Sequence, residues 1–193
     1  MPKVGAEYPR YATIKSDPDA AILKYDKVES MGELARANIA IQFAEGEYYA
    51  DDALSERERR FISGKISFEV NELPYKLYAE MYGAEYDETE KTISSGADDS
   101  APFGGYGFLR QRKLKGKLFY EAIFIPKVRA ELGNDDSQTA TNNVAFTGDT
   151  GDFTIFEQKN DKKTWRRISR FEGDTALTEA RTWLDGQFIQ AEP

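Results

Sequence analysis

Two stretches of strict alternation constrain this chain more than any other feature. In residues 33–43, Ile39, Ile41 and Phe43 point one way, and Asn38, Ala40 and Gln42 the other. In residues 64–70, Ile66, Phe68 and Val70 oppose Lys65, Ser67 and Glu69. Successive side chains of a strand project to opposite faces, so each stretch reads as a strand buried on one face and wet on the other. Such half-solvated strands belong to antiparallel sheets, and these two pair naturally with each other. Residues 44–61 join them, far more than the roughly two to five residues of an ordinary hairpin loop. The connection holds Glu47-Tyr48-Tyr49-Ala50-Asp51-Asp52, then Ser55-Glu56-Arg57-Glu58-Arg59-Arg60, and reads as a long inter-strand arm.

The rest of the chain adds strands and two helices. Residues 1–24 read as an extended N-terminal arm, with Tyr8 and Tyr11 free to lie against a neighbour and Ser16-Asp17-Pro18-Asp19 as a turn. Leu73, Leu77 and Met81 recur every four positions, predicting a short helix over 73–82, capped by Asn71, opened by Pro74 and stopped by Gly83. Residues 84–103 are small and acidic, with a short strand near Thr92 and Ile93. Residues 106–113 and 117–128 predict a hairpin around Lys115-Gly116. Its second strand is apolar on both faces and therefore central, with Pro126 at its end or at a bulge. Further strands are expected at 138–147, 153–157 and 164–171. A final helix is expected at 175–185, capped by Asp174, with Leu177, Ala180, Trp183 and Leu184 on one face. No repeat or low-complexity linker divides the chain, so a single domain is expected over residues 1–193. The expected class is mainly β with two short helices (α+β), as an antiparallel β-sandwich or partial barrel.

Composition narrows the chemistry. The 193 residues include no cysteine and no histidine, and 34 acidic against 26 basic side chains give a formal charge of −8. Disulfides, thiolate nucleophiles, Cys/His zinc sites and histidine general bases are thereby excluded. A net negative chain is poorly suited to gripping nucleic acid, whose binding rests on Lys and Arg neutralising phosphates. The doublets Asp51/Asp52 and Asp98/Asp99 fall in turn-like segments where Asp serves the backbone. Neighbouring acids on a strand also point to opposite faces and cannot flank a glycosidic bond. Asp135/Asp136 and Asp149/Asp152 lack EF-hand spacing. Gly104-Gly105-Tyr106-Gly107 lacks the Lys-Ser/Thr of a phosphate loop and leads into a strand, so it reads as a bulge or a close backbone approach. Arg57, Arg59 and Arg60 are interleaved with Glu56 and Glu58, a pattern for salt-bridged protein contact. Arg110, Arg112, Lys113, Lys115 and Lys117 read as a solvated hairpin tip. The 11 tyrosines favour interfaces. No catalytic, cofactor-binding or metal-ligating residue is expected. No apolar run approaches the roughly 20 residues of a membrane span, and the N-terminus lacks an apolar signal core. A soluble chain made in a cytoplasm, with no membrane insertion, is the expectation.

A family pattern runs through these elements. Met1-Pro2-Lys3-Val4-Gly5 with Tyr8-Pro9 resembles the start of major tail proteins of long-tailed, non-contractile phages of Gram-positive bacteria. The segments Ala37-Asn38-Ile39-Ala40-Ile41, Tyr49-Ala50-Asp51-Asp52-Ala53, Ser63-Gly64-Lys65-Ile66 and Leu77-Tyr78-Ala79-Glu80-Met81-Tyr82-Gly83 follow in the same order. Ala97-Asp98-Asp99-Ser100-Ala101-Pro102, Gly105-Tyr106-Gly107-Phe108, the stretch from Phe119 to Lys127, and Ala180 with Trp183-Leu184-Asp185 complete it. Residues 56–60 are more charged than the pattern.

The resemblance implies a structural virion protein, located in the tail tube and assembled in the host cytoplasm. Subunits of this kind form stacked hexameric rings whose strands complete an inner β-barrel around double-stranded DNA, which passes without specific binding. Implied partners are further copies of the chain, the tape measure protein, the tail terminator, and baseplate or distal tail proteins. On this reading Tyr8, Tyr11, Tyr48, Tyr49, Asp51, Asp52, Arg57, Arg59 and Arg60 are subunit-interface candidates. Asn38, Gln42, Ser63, Lys65, Ser67, Glu69, Thr139, Thr141 and Asn143 are candidates for the lumen wall. An acidic bore would repel phosphate, so a net negative lumen is expected. Competing readings are an inner tube protein of a contractile tail, a tail-like bacteriocin or a secretion apparatus. A β-sandwich carbohydrate-binding module would expose Trp165 and Trp183 as stacking platforms, and a carboxylate hydrolase is a fourth possibility.

Overall fold

A computed structural model of the chain describes residues 3–17, 19–50, 53–131, 148–160 and 162–189, with the backbone alone at 3, 46–50, 53–57 and 114. The elements in order are β1 (Lys3–Thr13), β2 (Glu29–Ser30), β3 (Leu34–Ala50), β4 (Ala53–Val70), α1 (Tyr75–Tyr82), β5 (Glu85–Asp87), β6 (Thr92–Ser94), β7 (Phe103–Leu114), β8 (Lys117–Glu131), β9 (Asp149–Ile155), β10 (Arg167–Glu172) and α2 (Ala176–Phe188). The fold is mainly β, antiparallel, with two helices, as the alternation implies. The main sheet runs β2-β1-β7-β8-β9-β4-β3, with β10 branching from β8.

The branch organises the molecule. The first half of β8 pairs with β10 (Phe119↔Glu172 to Phe124↔Arg167), and its second half pairs with β9 (Val128↔Ile155 to Glu131↔Asp152). Between the halves, the register against β7 slips from Tyr106↔Ile125 to Gly104↔Val128, so Pro126 and Lys127 bulge. Pro126 therefore marks a bulge, and β8 continues beyond it. The bulge separates the stretch of β8 that pairs with β10 from the stretch that pairs with β9.

Two apolar clusters hold these elements together. The larger combines Ile66, Phe68, Tyr106, Phe108 and Phe153 with Leu77 and Met81 of α1. Within it, Tyr11 stacks on Phe153 with ring centroids 5.6 Å apart. The smaller seats Ala180, Leu184 and Phe188 of α2 on Leu109, Ala122 and Phe124. The glycine run serves close approach: a Cβ at Gly104 would lie 2.4 Å from the Tyr11 hydroxyl, and one at Gly107 would lie 2.5 Å from Leu184 Cδ1.

Several expectations need correction. Residues 3–13 are not a projecting arm but strand β1, paired with β7, in which Tyr11 is fully buried. A register shift between Glu7 and Arg10, with Tyr8 at φ 59°, breaks the alternation that would have revealed the strand. The inter-strand arm expected over residues 44–61 is itself strand on both sides, at 44–50 and 53–61. The β3–β4 ladder continues from Leu34↔Val70 to Ala50↔Ala53 as one long hairpin. Neither helix has its expected side-chain cap. Asn71 instead accepts a hydrogen bond from the Glu33 amide at 2.7 Å, and Gly83 stops α1 at φ 73° as expected. The strand expected at 138–147 lies outside the described residues.

Candidate functional site

The lumen candidates on β3 and β4 share one face. The register sets Asn38 opposite Ser67, Ala40 opposite Lys65 and Gln42 opposite Ser63, while Ile39 and Ile66 take the core side. Glu69 continues the face opposite Arg36. The Ser63 hydroxyl donates to Gln42 Oε1 at 3.2 Å. Thr139, Thr141 and Asn143 lie outside the described residues.

The face is wider than the alternation of these two strands suggested. β9 lies beside β4 and brings Thr154 next to Lys65, Asp152 next to Ser67 and Thr150 next to Glu69. β8 adds Arg129 beside Thr154 and Glu131 beside Asp152. Four strands thus present one polar surface. The period-two pattern of Thr150, Asp152 and Thr154 was a legible signal for this, but their place beside β4 was not.

Charges of both signs are interspersed on this surface. Arg36, Lys65 and Arg129 stand against Glu69, Asp152 and Glu131. Lys65 Nζ lies 3.0 Å from Asp152 Oδ2 and 3.9 Å from Glu131 Oε2. The Thr154 hydroxyl also donates to Glu131. Burial alone would push the Asp152 carboxyl up, but the Ser67 hydroxyl and the Lys65 ammonium outweigh it and hold the group below the usual range. Arg129 is turned aside, donating to the Ala101 carbonyl at 2.8 Å and to the Ser100 hydroxyl at 2.6 Å. With Arg129 set aside, the described part of the face holds Arg36 and Lys65 against Glu69, Asp152 and Glu131, so it carries little of the chain's acidic excess.

Beside the polar face, β3 is an edge. It has β4 on one side, and among the described residues no strand pairs with its other side. Beyond Gly64↔Ile155 the hairpin also loses β9, leaving residues 44–50 and 53–60 as a two-stranded ribbon. At its base, Phe43 is 40 % exposed and Ile62 60 % exposed. An isolated two-stranded ribbon is marginal in water, and an open edge strand is a template for pairing.

The interface candidates divide. Tyr11 is buried in its own core and cannot reach a neighbour. Tyr8 is half-buried, donates to Asp185 Oδ2 at 2.9 Å, and carries Arg10 and Arg181 over its ring, so it ties β1 to α2. Arg59 pairs with Glu45 across the ribbon at 2.7 Å and lies over the Phe43 ring, while Arg60 is exposed. Tyr48, Tyr49 and Arg57 fall on the ribbon, opposite Glu56, Leu54 and Glu47 in register. Asp51 and Asp52 lie outside the described residues.

Other chemistry is occupied. Asp149 accepts from the Leu73 amide at 2.6 Å, and Asp99 from the Gly96 amide at 2.7 Å. Trp165 stacks flat on Phe61 at 5.0 Å, and Trp183 packs near Phe171 at 6.3 Å, both half-buried. Among the described residues, no group of three or more acidic side chains could hold a metal ion, and no helix is long and apolar enough to cross a membrane. In comparisons with known proteins, no family model matches the chain and no curated protein matches it.

Proposed function

We propose that this chain is a structural subunit of a phage tail tube, self-assembling into stacked hexameric rings around a bore that conducts double-stranded DNA. The observation that carries this reading is the polar four-stranded face flanked by a projecting hairpin and by the edge of β3, which is unpaired among the described residues. A closed ring of such subunits would pair each open edge, removing the liability of a long exposed strand. A heterologous contact that closes by rotation gives a ring, and its repetition along an axis gives a tube. The collinear tail-protein pattern from Met1 to Asp185 points the same way.

On this reading the polar face lines the bore, and the pairing of Lys65 with Asp152 and Glu131 changes the account of DNA passage. A net negative wall is not needed. Lysine attracts phosphate when binding releases condensed counterions, and a lysine already held by carboxylates has less to gain. The wall would be hydrated and polar, yet would offer few free cations. The apolar residues Phe43 and Ile62 at the base of the ribbon would be covered by the neighbouring subunit.

The direct test is negative-stain electron microscopy of the purified chain at rising concentration. Tubes or six-fold rings are expected. A chain that stays monomeric at high concentration, even with initiator proteins of a tail present, would overturn the proposal.

A further inference from the structure

The two ends of the β7–β8 ladder carry opposite charge. At the turn end, Lys113, Lys115 and Lys117 are exposed, and none joins an ion pair among the described residues. The arginines near that end have acidic partners: Arg110 and Arg112 share Glu121, and Arg170 holds Glu172. The opposite end is acidic. Arg129 anchors Ser100 and Ala101 beside the start of β7, and the segment leading there holds Glu85, Asp87, Glu88, Glu90, Asp98 and Asp99 against Lys91 alone. At roughly 3.3 Å per residue, the ladder separates these ends by about 36 Å.

Two further observations bear on the acidic end. The Glu80 carboxyl on α1 is pushed up by burial first and by the charge of Glu29, with Lys76 opposing and Asp26 adding to the rise. Each end also exposes apolar area. Leu118 is 47 % exposed and Val4 55 % exposed at the lysine end, and Tyr75 is 62 % exposed where Lys76 links α1 to Glu88. Charge and apolar contact therefore coincide at both ends.

We infer that the lysine tip of one copy docks on the acidic end of the next, with Lys113, Lys115 and Lys117 facing Glu85, Glu90 and Asp98. The occupant is a second copy because the complement of the tip is present on the same chain, while the net charge of −8 opposes a polyanion. The contact is head to tail and joins opposite ends of the β7–β8 ladder, so it builds an axial stack when copies follow one another along the ladder direction without a rotation that closes. The identity of that stack as a tail tube rests on the function proposed above; the pairing of the two ends does not.

Charge reversal tests the pairing. One variant carries Lys113→Glu, Lys115→Glu and Lys117→Glu; a second carries Glu85→Lys, Glu90→Lys and Asp98→Lys; a third carries all six. Asp87 and Asp99 are kept because each accepts backbone hydrogen bonds that shape its turn. Sedimentation velocity and negative-stain imaging are read at low salt and at about 0.5 M, where screening is strong. The wild type and the six-fold variant should associate at low salt and weaken in high salt. Each single-end variant should associate about tenfold less or worse, because like charges then meet. Mixing the two single-end variants should restore association. Circular dichroism checks the fold, and Lys117→Glu with Glu90→Lys gives the same comparison if a triple variant unfolds. A single-end variant that stacks like the wild type overturns the pairing and leaves the tube reading intact. Association that follows the charge pattern but never forms rings overturns the tube reading alone. A monomeric wild type whose lysine tip binds duplex DNA overturns the pairing in favour of nucleic acid.

Discussion

The ammonium of Lys65 sits 3.0 Å from the carboxylate of Asp152, across the ladder that joins β4 to β9. The pairing neutralises a cation at the centre of the polar face. Without Asp152, Glu131 at 3.9 Å is the remaining partner. In Asp152→Asn combined with Glu131→Gln, the face acquires a free lysine. Duplex DNA should then bind several-fold more tightly at low salt than to the wild type, and log K should fall with log salt by about 0.9 for each additional phosphate neutralised. Fluorescence anisotropy with a labelled duplex measures both. Equal binding by the two proteins would show that Asp152 does not mask Lys65.

Acid should weaken the fold through identifiable pairs. The Asp19 carboxyl is held low by hydrogen bonds from Lys127 and Lys159, and Asp152 is held low on balance by Ser67 and Lys65 against its burial. A carboxyl lowered in the folded state contributes stability that is complete above its unfolded pKa of about 3.9 and is lost as pH falls through the lowered value. The melting temperature should therefore drop as pH falls below about 4. Asp19→Asn and Asp152→Asn should each melt lower at neutral pH and show a shallower acid limb.

Alkali should act through tyrosine. Burial pushes the Tyr82 hydroxyl up to about 12, and pushes Tyr11, Tyr25 and Tyr106 higher still. The sign is opposite to that of the carboxyls. Stability is complete below the unfolded value of about 10 and is lost as pH rises towards the folded values. Ultraviolet titration should show an early tyrosinate phase from exposed rings and a late phase coincident with unfolding. A single phase would contradict the buried aromatic core.

The seat of α2 depends on a missing side chain. Gly107→Ala would put a methyl 2.5 Å from Leu184 Cδ1 and 3.0 Å from the Ile123 carbonyl. A cost of about 1–3 kcal/mol is expected from such overpacking. Leu184→Ala, at a fully buried position, should cost about 2–5 kcal/mol. Denaturant midpoints measure both.

Deleting residues 45–60 removes the ribbon but leaves β9 paired with the rest of β4. The shortened chain should fold, with a near-native circular dichroism spectrum, and fail to form rings or tubes. Normal assembly would show that the ribbon makes no essential subunit contact.

How much of this was legible follows from where the signal lives. Ile39 against Asn38 and Ile66 against Lys65 announce their faces locally, because burial of one face writes period two into the chain. The ribbon writes no such pattern. Glu45 and Arg59 pair on a stretch that has no third strand among the described residues, and residues 44–61 therefore read as an arm without strand periodicity. Strand β1 escaped for a different reason: the shift between Glu7 and Arg10 scrambles its alternation, and Tyr11 looks like a surface tyrosine until Phe153 is found stacked against it.

The amino-acid sequence alone determined the class of fold, the two helices, and which side chains of β3 and β4 share the wet face, since these depend on residues within a few positions of one another. Tertiary structure alone decided that β9 completes that face, that Asp152 neutralises Lys65, that α2 rests on Gly107, and that β3 is an edge among the described residues. Each of these joins residues far apart in the chain, and no local periodicity encodes which distant strand becomes a neighbour.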